Sequence, residues 1–260
     1  MVKKVIENMP DKTEAVRNWF SQGGQAYARF RPHYPAELAA YLASLVPDNC
    51  LAVDVGCGNG QLTQLIAEHF NAVIGLDPSA DQIANARLHE RITYHCASAE
   101  KMPVPGGTVN LVTAAQAAHW FNLPDFYNEV HRIAAPGCVV ALISYGVLSL
   151  EPELDKRFRT FYHQEIGPWW PPERALVDAG YATLDFPFNE VAAPPLEISL
   201  EWTFNDFMGY VSTWSAVRNA QEAGHTEAVL RFADEIFRMW GGESARRCIR
   251  WPIAMRIGRV

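Results

Sequence analysis

Cysteine is scarce in this chain and forms no pattern. Cys50, Cys57, Cys96, Cys138 and Cys248 are odd in number, widely scattered and never in a Cys-x-x-Cys pair. That spacing argues against a disulfide framework or a metal site and fits a reducing compartment. Long hydrophobic runs are missing as well: no window approaches 18 uncharged apolar residues, so no membrane partner is expected. The opening Met1-Val2-Lys3-Lys4 leads into mixed polar sequence rather than the apolar stretch of a signal peptide, and the expected location is the cytoplasm. Positive charge is the third shortage. Twenty-two Lys and Arg against 29 Asp and Glu leave a formal net charge of −7, which gives nucleic acid no global electrostatic pull. There is no internal repeat and no low-complexity tract.

What remains is an ordinary globular composition, 49% hydrophobic and 20% charged over 260 residues, enough for one elaborated α/β domain. Between about residues 50 and 145, short apolar runs alternate with helical patterns. Strands are predicted at 51–55, 72–76, 92–95, 109–113 and 138–144, apolar on both faces as buried parallel strands are. Helices are predicted between them at 61–70, 80–90 and 123–134, a spacing that suits right-handed crossovers in one parallel sheet. Before this alternation lie two helical stretches, the second at 36–45. After it, 148–180 is rich in Phe, Tyr, Trp and Pro, too apolar for a linker, and reads as a cap. Strand segments at 182–191 and 196–202, helices at 205–215 and 227–240, and a last strand at 251–257 complete the reading.

The segment Asp54-Val55-Gly56-Cys57-Gly58-Asn59-Gly60 carries the most chemistry. A buried strand runs into a glycine turn and then a helix. Glycine permits positive φ and close approach of backbone to a ligand, and N–H groups at the helix start face that ligand. Glycine is also what a tight βα turn needs for geometry alone. Asp77 ends the second strand 17 residues after Gly60, where an acid in a doubly wound sheet accepts ribose hydroxyls. That role suits NAD and S-adenosylmethionine alike. Three details favour the latter: Gly-x-Gly-x-Gly spacing, the preceding Asp54, and the polar stretch Ser98-Ala99-Glu100-Lys101-Met102-Pro103 after the third strand.

Those segments, with Gly75-Leu76-Asp77-Pro78-Ser79 and His131-Arg132-Ile133-Ala134-Ala135-Pro136-Gly137, resemble in order the signatures of class I S-adenosylmethionine-dependent methyltransferases, the methyltransferase type 11 group in particular. Tyr27-Ala28-Arg29-Phe30-Arg31-Pro32-His33-Tyr34-Pro35 and Gln116-Ala117-Ala118-His119-Trp120-Phe121 resemble the subgroup of trans-aconitate methyltransferase-like proteins. The resemblance implies an α/β, doubly wound, mostly parallel seven-stranded sheet. Residues 1–48 would form an N-terminal helical lid, 49–145 the cofactor-binding core, and 146–260 an inserted cap with the completion of the sheet, in a single domain. It further implies that Gly56, Gly58 and Gly60 approach the methionine part of the cofactor, with Asp54 holding its ammonium directly or through water. Asp77 would take the ribose hydroxyls and Pro78 or Ser79 would flank the adenine. Ala99 would bond the adenine, with Ser98 and Glu100 beside it, and Gln116 would line the pocket near the sulfonium. Tyr27 would belong to the lid over the cofactor. Cys138 stands where a second glycine commonly follows Gly137.

On the acceptor side, His119 follows the fourth strand and suits either a general base or a part of the pocket floor. Trp120 suits a contact to cofactor or substrate, or a place in the core. Arg31 can grip a carboxylate by a bidentate pair. Tyr210, Trp214 and Arg218 fall at i, i+4 and i+8 on one helix face, a spacing shared by pocket walls and plain core. The leading reading is a methyltransferase acting on a small-molecule acceptor, a carboxylate or a hydroxyl, as a monomer or homodimer. A nicotinamide-dependent oxidoreductase and a cofactor-binding protein without turnover stand as alternatives.

Overall fold

The computed structural model describes residues 31–260 of the 260-residue chain. In chain order the elements are α1 (Ala36–Ser44), β1 (Leu51–Val55), α2 (Gln61–Ala67), β2 (Ala72–Asp77), α3 (Ala80–Ala84), β3 (Ile92–Cys96), β4 (Val109–Ala115), α4 (Leu123–Ile133) and β5 (Ala134–Tyr145). There follow α5 (Pro152–Thr160), α6 (Arg174–Asp178), β6 (Asn189–Val191), β7 (Leu196–Thr203), α7 (Phe204–Ser212), α8 (Ser215–Glu222), α9 (Thr226–Trp240) and β8 (Arg246–Arg259). The chain divides into two compact units. One contains His33–Val147, Glu173–Ile198 and Trp251–Val260; the other contains Leu148–Pro172 and Ser199–Arg250 with residues 31–32.

The strand order is β3-β2-β1-β4-β5-β8-β6, with β7 pairing to β8 off this path. The first five run parallel and β8 is antiparallel to β5 and β6. This is the doubly wound, mostly parallel sheet expected from the sequence, with β7 as an eighth strand. β1, β4 and β5 are apolar on both faces because both faces are covered: Val53, Leu111, Val112, Val139, Val140 and Leu142 have no exposed surface. The amphipathic α4 buries Phe126, Val130 and Ile133 at i, i+4 and i+7, a stripe aimed into the core that contains Val112 and Val140.

Several boundaries differ from the sequence reading. The helix expected over 80–90 stops at Ala84 and buries none of its residues; a short helix with no face to bury gains nothing by continuing. The strand expected over 182–191 is only Asn189–Val191, because Gly180 and Tyr181 both sit at φ near +60 and turn the chain after α6. The apolar run at 148–180 is largely helical, with a π turn at Phe161–Glu165 and a 3-10 turn at Gly167–Trp169.

In the second unit Phe161 stacks on Phe232 at 3.8 Å between centroids. Arg157 pairs with Glu165 and Glu235. Trp214 has Tyr162, Trp170 and Tyr210 around it at 5.4–5.6 Å. Among the described residues no helix is long and apolar enough to cross a membrane.

Candidate active site

The winding of the parallel sheet reverses between β1 and β4. Loops after these two strands therefore leave the carboxyl edge side by side, where such sheets bind ligands. The loop after β1 is the glycine segment. Gly56, Gly58 and Gly60 all adopt positive φ, at 69°, 54° and 88°, which explains the residue type at each. The loop is pinned to the end of β2: the amides of Gly56 and Cys57 donate to the Leu76 carbonyl at 2.7 and 2.9 Å.

The glycines differ in what surrounds them. A Cβ on Gly60 would lie 2.1 Å from the Tyr94 hydroxyl oxygen, and one on Gly56 would lie 2.4 Å from Ala117 Cβ. At Gly58 the nearest atom would be Gln82 Oε1 at 3.8 Å. Thus Gly56 and Gly60 are small because the protein packs against them, while Gly58 leaves room beyond the backbone.

Two acids flank the loop in different states. Asp54 is 1% exposed; its oxygens accept from Thr63 Oγ1 at 2.6 Å and Thr113 Oγ1 at 2.7 Å. Burial pushes its carboxyl up to about 6, opposed by the two threonine hydroxyls. Asp54 therefore lies behind the loop as its buried anchor. Asp77, half-buried at the end of β2, accepts the Gly58 amide at 2.9 Å and the Ser79 amide at 2.8 Å. It thus clips the loop to the start of α3, whose first turn Ser79 caps through the Gln82 amide. Burial followed by the Asp54 and Asp77 charges raises the Cys57 thiol far above its usual range, so the loop cysteine stays protonated.

Pro78 is exposed beside Asp77, and its carbonyl accepts from Cys96 Sγ at 3.4 Å. Beyond β3, Ser98 is exposed, Ala99 is 5% exposed, and Glu100 accepts the Asn122 amide at 3.0 Å. Gln116, the residue after β4, has φ 54, a left-handed conformation that a non-glycine residue holds only when its surroundings fix it. Its amide donates to Ile143 O at 2.8 Å and its side chain to Tyr145 O at 2.9 Å.

His119 follows in a 3-10 turn, Ala118–Trp120. Its Nδ1 lies 2.8 Å from the Tyr181 hydroxyl, and burial, then the nearby Arg174, lowers the ring to about 4. Trp120 is 65% exposed, so it takes no place in the core. Arg31, Tyr210 and Trp214 belong to the other unit. Tyr210 is on α7, Trp214 is extended backbone between the helices and Arg218 is on α8, so the three do not share the one helix face expected of them. The Arg31 guanidinium stands 5.9 Å from the Tyr210 ring centre, and Tyr210 meets Trp214 at 5.4 Å. Tyr27 lies outside the described residues. Reading from sequence overlooked Thr63, Thr113, Tyr94 and Tyr181. The threonines left a trace as hydroxyls inside apolar runs; Tyr94 and Tyr181 look like any core aromatic.

The fold and the loop together define a doubly wound protein built for an adenosine-bearing cofactor. The comparisons with known proteins give the reaction class. A methyltransferase-domain family model matches residues 53–142. A Dictyostelium discoideum protein described as a methyltransferase is 32% identical over 251 residues, spanning 92% of this chain and 94% of its own. The solved structure of a protein described as a type II methyltransferase from Anaeromyxobacter dehalogenans is 42% identical with a TM-score of 0.84, covering 88% of this chain and 98% of that one. A malonyl-acyl-carrier-protein O-methyltransferase of a Marinomonas species is 28% identical over 62% of each chain. The chain belongs to the class I S-adenosylmethionine-dependent methyltransferases.

Proposed function

We propose that this methyltransferase acts on an oxygen of a small-molecule acceptor, a carboxylate in preference to a hydroxyl. The observation that carries this reading is the state of His119, the histidine of the loop after β4. It is held to about 4 by burial, and its Nδ1 is engaged by Tyr181. Such a ring is a poor base at neutral pH. A carboxylate acceptor arrives ionised and needs none, whereas a hydroxyl must lose a proton. The name of the Marinomonas relative fits methylation at oxygen. The net charge of −7 fits a small acceptor rather than nucleic acid. Within its own unit Arg31, with Tyr210 and Trp214 near it, offers a cation and aromatic surface of the kind such an acid would use.

The glycine loop suits the cofactor because Gly58 keeps open space where a side chain would stand. In this reading Gly56, Gly58 and Gly60 hold the methionine end, and the buried Asp54 attracts its ammonium from behind the loop. Asp77 takes the ribose, and Pro78 flanks the adenine with Ser98, Ala99 and Glu100. Gln116 lines the sulfonium end. When bound, S-adenosylmethionine supplies a sulfonium-activated methyl carbon, so that a C–O bond forms in line as the C–S bond breaks and both reactant charges are neutralised. What the protein contributes is alignment and exclusion of water. The protein works as a monomer or homodimer in the cytoplasm.

The test uses methyl-labelled S-adenosylmethionine with panels of carboxylic acids, phenols and alcohols. A methyl ester releases its label as methanol in alkali; an ether or a methylated amine keeps it. Alkali-labile label on carboxylic acids is expected, and label that only ever survives alkali overturns the reading.

A further inference from the structure

The ring of His119 is held by one residue, in a way that decides which nitrogen carries the proton. Tyr181 follows α6 with no exposed surface and with φ 61, a backbone state that β-carbon sterics disfavour. It is fixed there by its own amide, which donates to Leu176 O at 2.9 Å. The turn returns the phenol to the loop after β4, where its oxygen lies 2.8 Å from His119 Nδ1. The backbone of His119 and Ala118 also lies close to that oxygen.

A phenol has one proton to give. If Nδ1 carried a hydrogen, it would donate to the buried phenol oxygen, and the phenol proton would have no acceptor among the described residues. A buried donor without a partner is costly. The balanced arrangement has the phenol donating to Nδ1. The imidazole proton is then on Nε2, on the opposite edge of the ring, where it has no hydrogen-bond partner among the described residues. Burial raises the Tyr181 phenol well above its usual range, so the donor keeps its proton. The ring lies in the loop whose Ala117 packs against Gly56 of the glycine turn.

We propose that His119 presents an Nε2–H donor to one oxygen of the methyl acceptor, and that Tyr181 is the positioning residue that fixes this tautomer. The proposal rests on the oxygen-acceptor reading above. The bond holds one oxygen and leaves the other's lone pair free for the methyl carbon. It gives the histidine a role that a ring lowered to about 4 can fill at neutral pH. The charged groups acting on the ring are Arg174, at the start of α6, and Glu173 before it, beside the neutral Tyr181.

Long-range nitrogen–proton NMR on histidine-labelled protein reads the tautomer without any acceptor; the Nε2–H form is expected, and an Nδ1–H form overturns the proposal. With an acceptor in hand, His119→Gln, which keeps a side-chain N–H but no base, should retain kcat/KM within about tenfold, while His119→Ala loses roughly 10- to 100-fold, the scale of one hydrogen bond to a charged group. Tyr181→Phe should raise the acceptor KM more than it lowers kcat. All three variants should bind S-adenosylhomocysteine as the parent does, which shows that the fold survives. Equal loss in the Gln and Ala variants, with an acid limb near pH 6–7 in the parent at about the ordinary histidine value, makes His119 a base and overturns the proposal. So does full activity of His119→Ala. If no oxygen acceptor is turned over, the acceptor reading falls instead, and the tautomer measurement separates the two failures.

Discussion

Asp54→Asn separates what a buried charge costs this fold from what it does for the cofactor. Asp54 has 1% of its surface exposed and accepts from two threonine hydroxyls. Burial pushes its carboxyl up to about 6 in the folded chain, from 3.8 for an ordinary aspartate. Because the folded value is raised, the native state holds the proton more tightly than the unfolded chain does. Stability therefore falls as pH rises from about 4 to about 6 and stays lower above that. A shift of about two units corresponds to about 2–3 kcal/mol. Asparagine keeps the shape and can meet one hydroxyl with its oxygen and the other with its amide, so it removes the titration without opening a cavity. Urea denaturation of both proteins from pH 4 to 7 should show the parent losing about 2–3 kcal/mol relative to the variant across that range. S-adenosylhomocysteine should bind the variant more weakly at pH 7, because the charge behind the loop is gone. Parallel pH–stability curves would refute the reasoning, since Asp54 would then not titrate between the folded and unfolded values.

Gly60→Ala puts a methyl group 2.1 Å from the Tyr94 oxygen at a φ of 88°, so it should destabilise by about 2–4 kcal/mol from overpacking and left-handed strain together. In a Tyr94→Phe background the overpacking part should shrink; strictly additive effects in a double-mutant cycle would show that the two do not meet. Arg157→Ala leaves Glu165 partly buried without this partner and removes a guanidinium 5.0 Å from the Phe232 ring centre. A loss of about 2–3 kcal/mol by denaturation is expected, with Arg157→Met losing less; a loss below about 0.5 kcal/mol would place the pair with ordinary surface bridges.

The parallel strands and the glycine loop were legible because their signals are local. β1 coincides with its predicted span, and β2, β3 and β4 extend at most two residues beyond theirs, since runs apolar on both faces have few other fates. β5 starts at Ala134 rather than 138 because Ala134 pairs with Val109 across a bulge that no apolar pattern announces. β8 extends to Arg246 because Arg246, Arg247 and Arg250 hide a strand from a hydrophobic reading. α8 was missed because its buried face is Ala216, Val217 and Ala220, too small to stand out. At the site, the glycines and Asp77 were readable from spacing, whereas the Thr63 and Thr113 bonds to Asp54 and the Tyr181 bond to His119 join residues 9, 59 and 62 positions apart. Only folding brings such pairs together.

Calorimetry of S-adenosylhomocysteine binding to the parent and to Asp77→Ala decides whether the glycine loop and the acid that clips it are the cofactor site. Asp77 accepts two amides, from Gly58 and Ser79, so its loss removes charge-assisted bonds to the loop and, in the proposed reading, to the ribose. The expected result is one site per parent chain and an affinity lowered in the variant by about 1–3 kcal/mol, roughly 5- to 150-fold. Equal affinity in the two folded proteins would contradict the assignment.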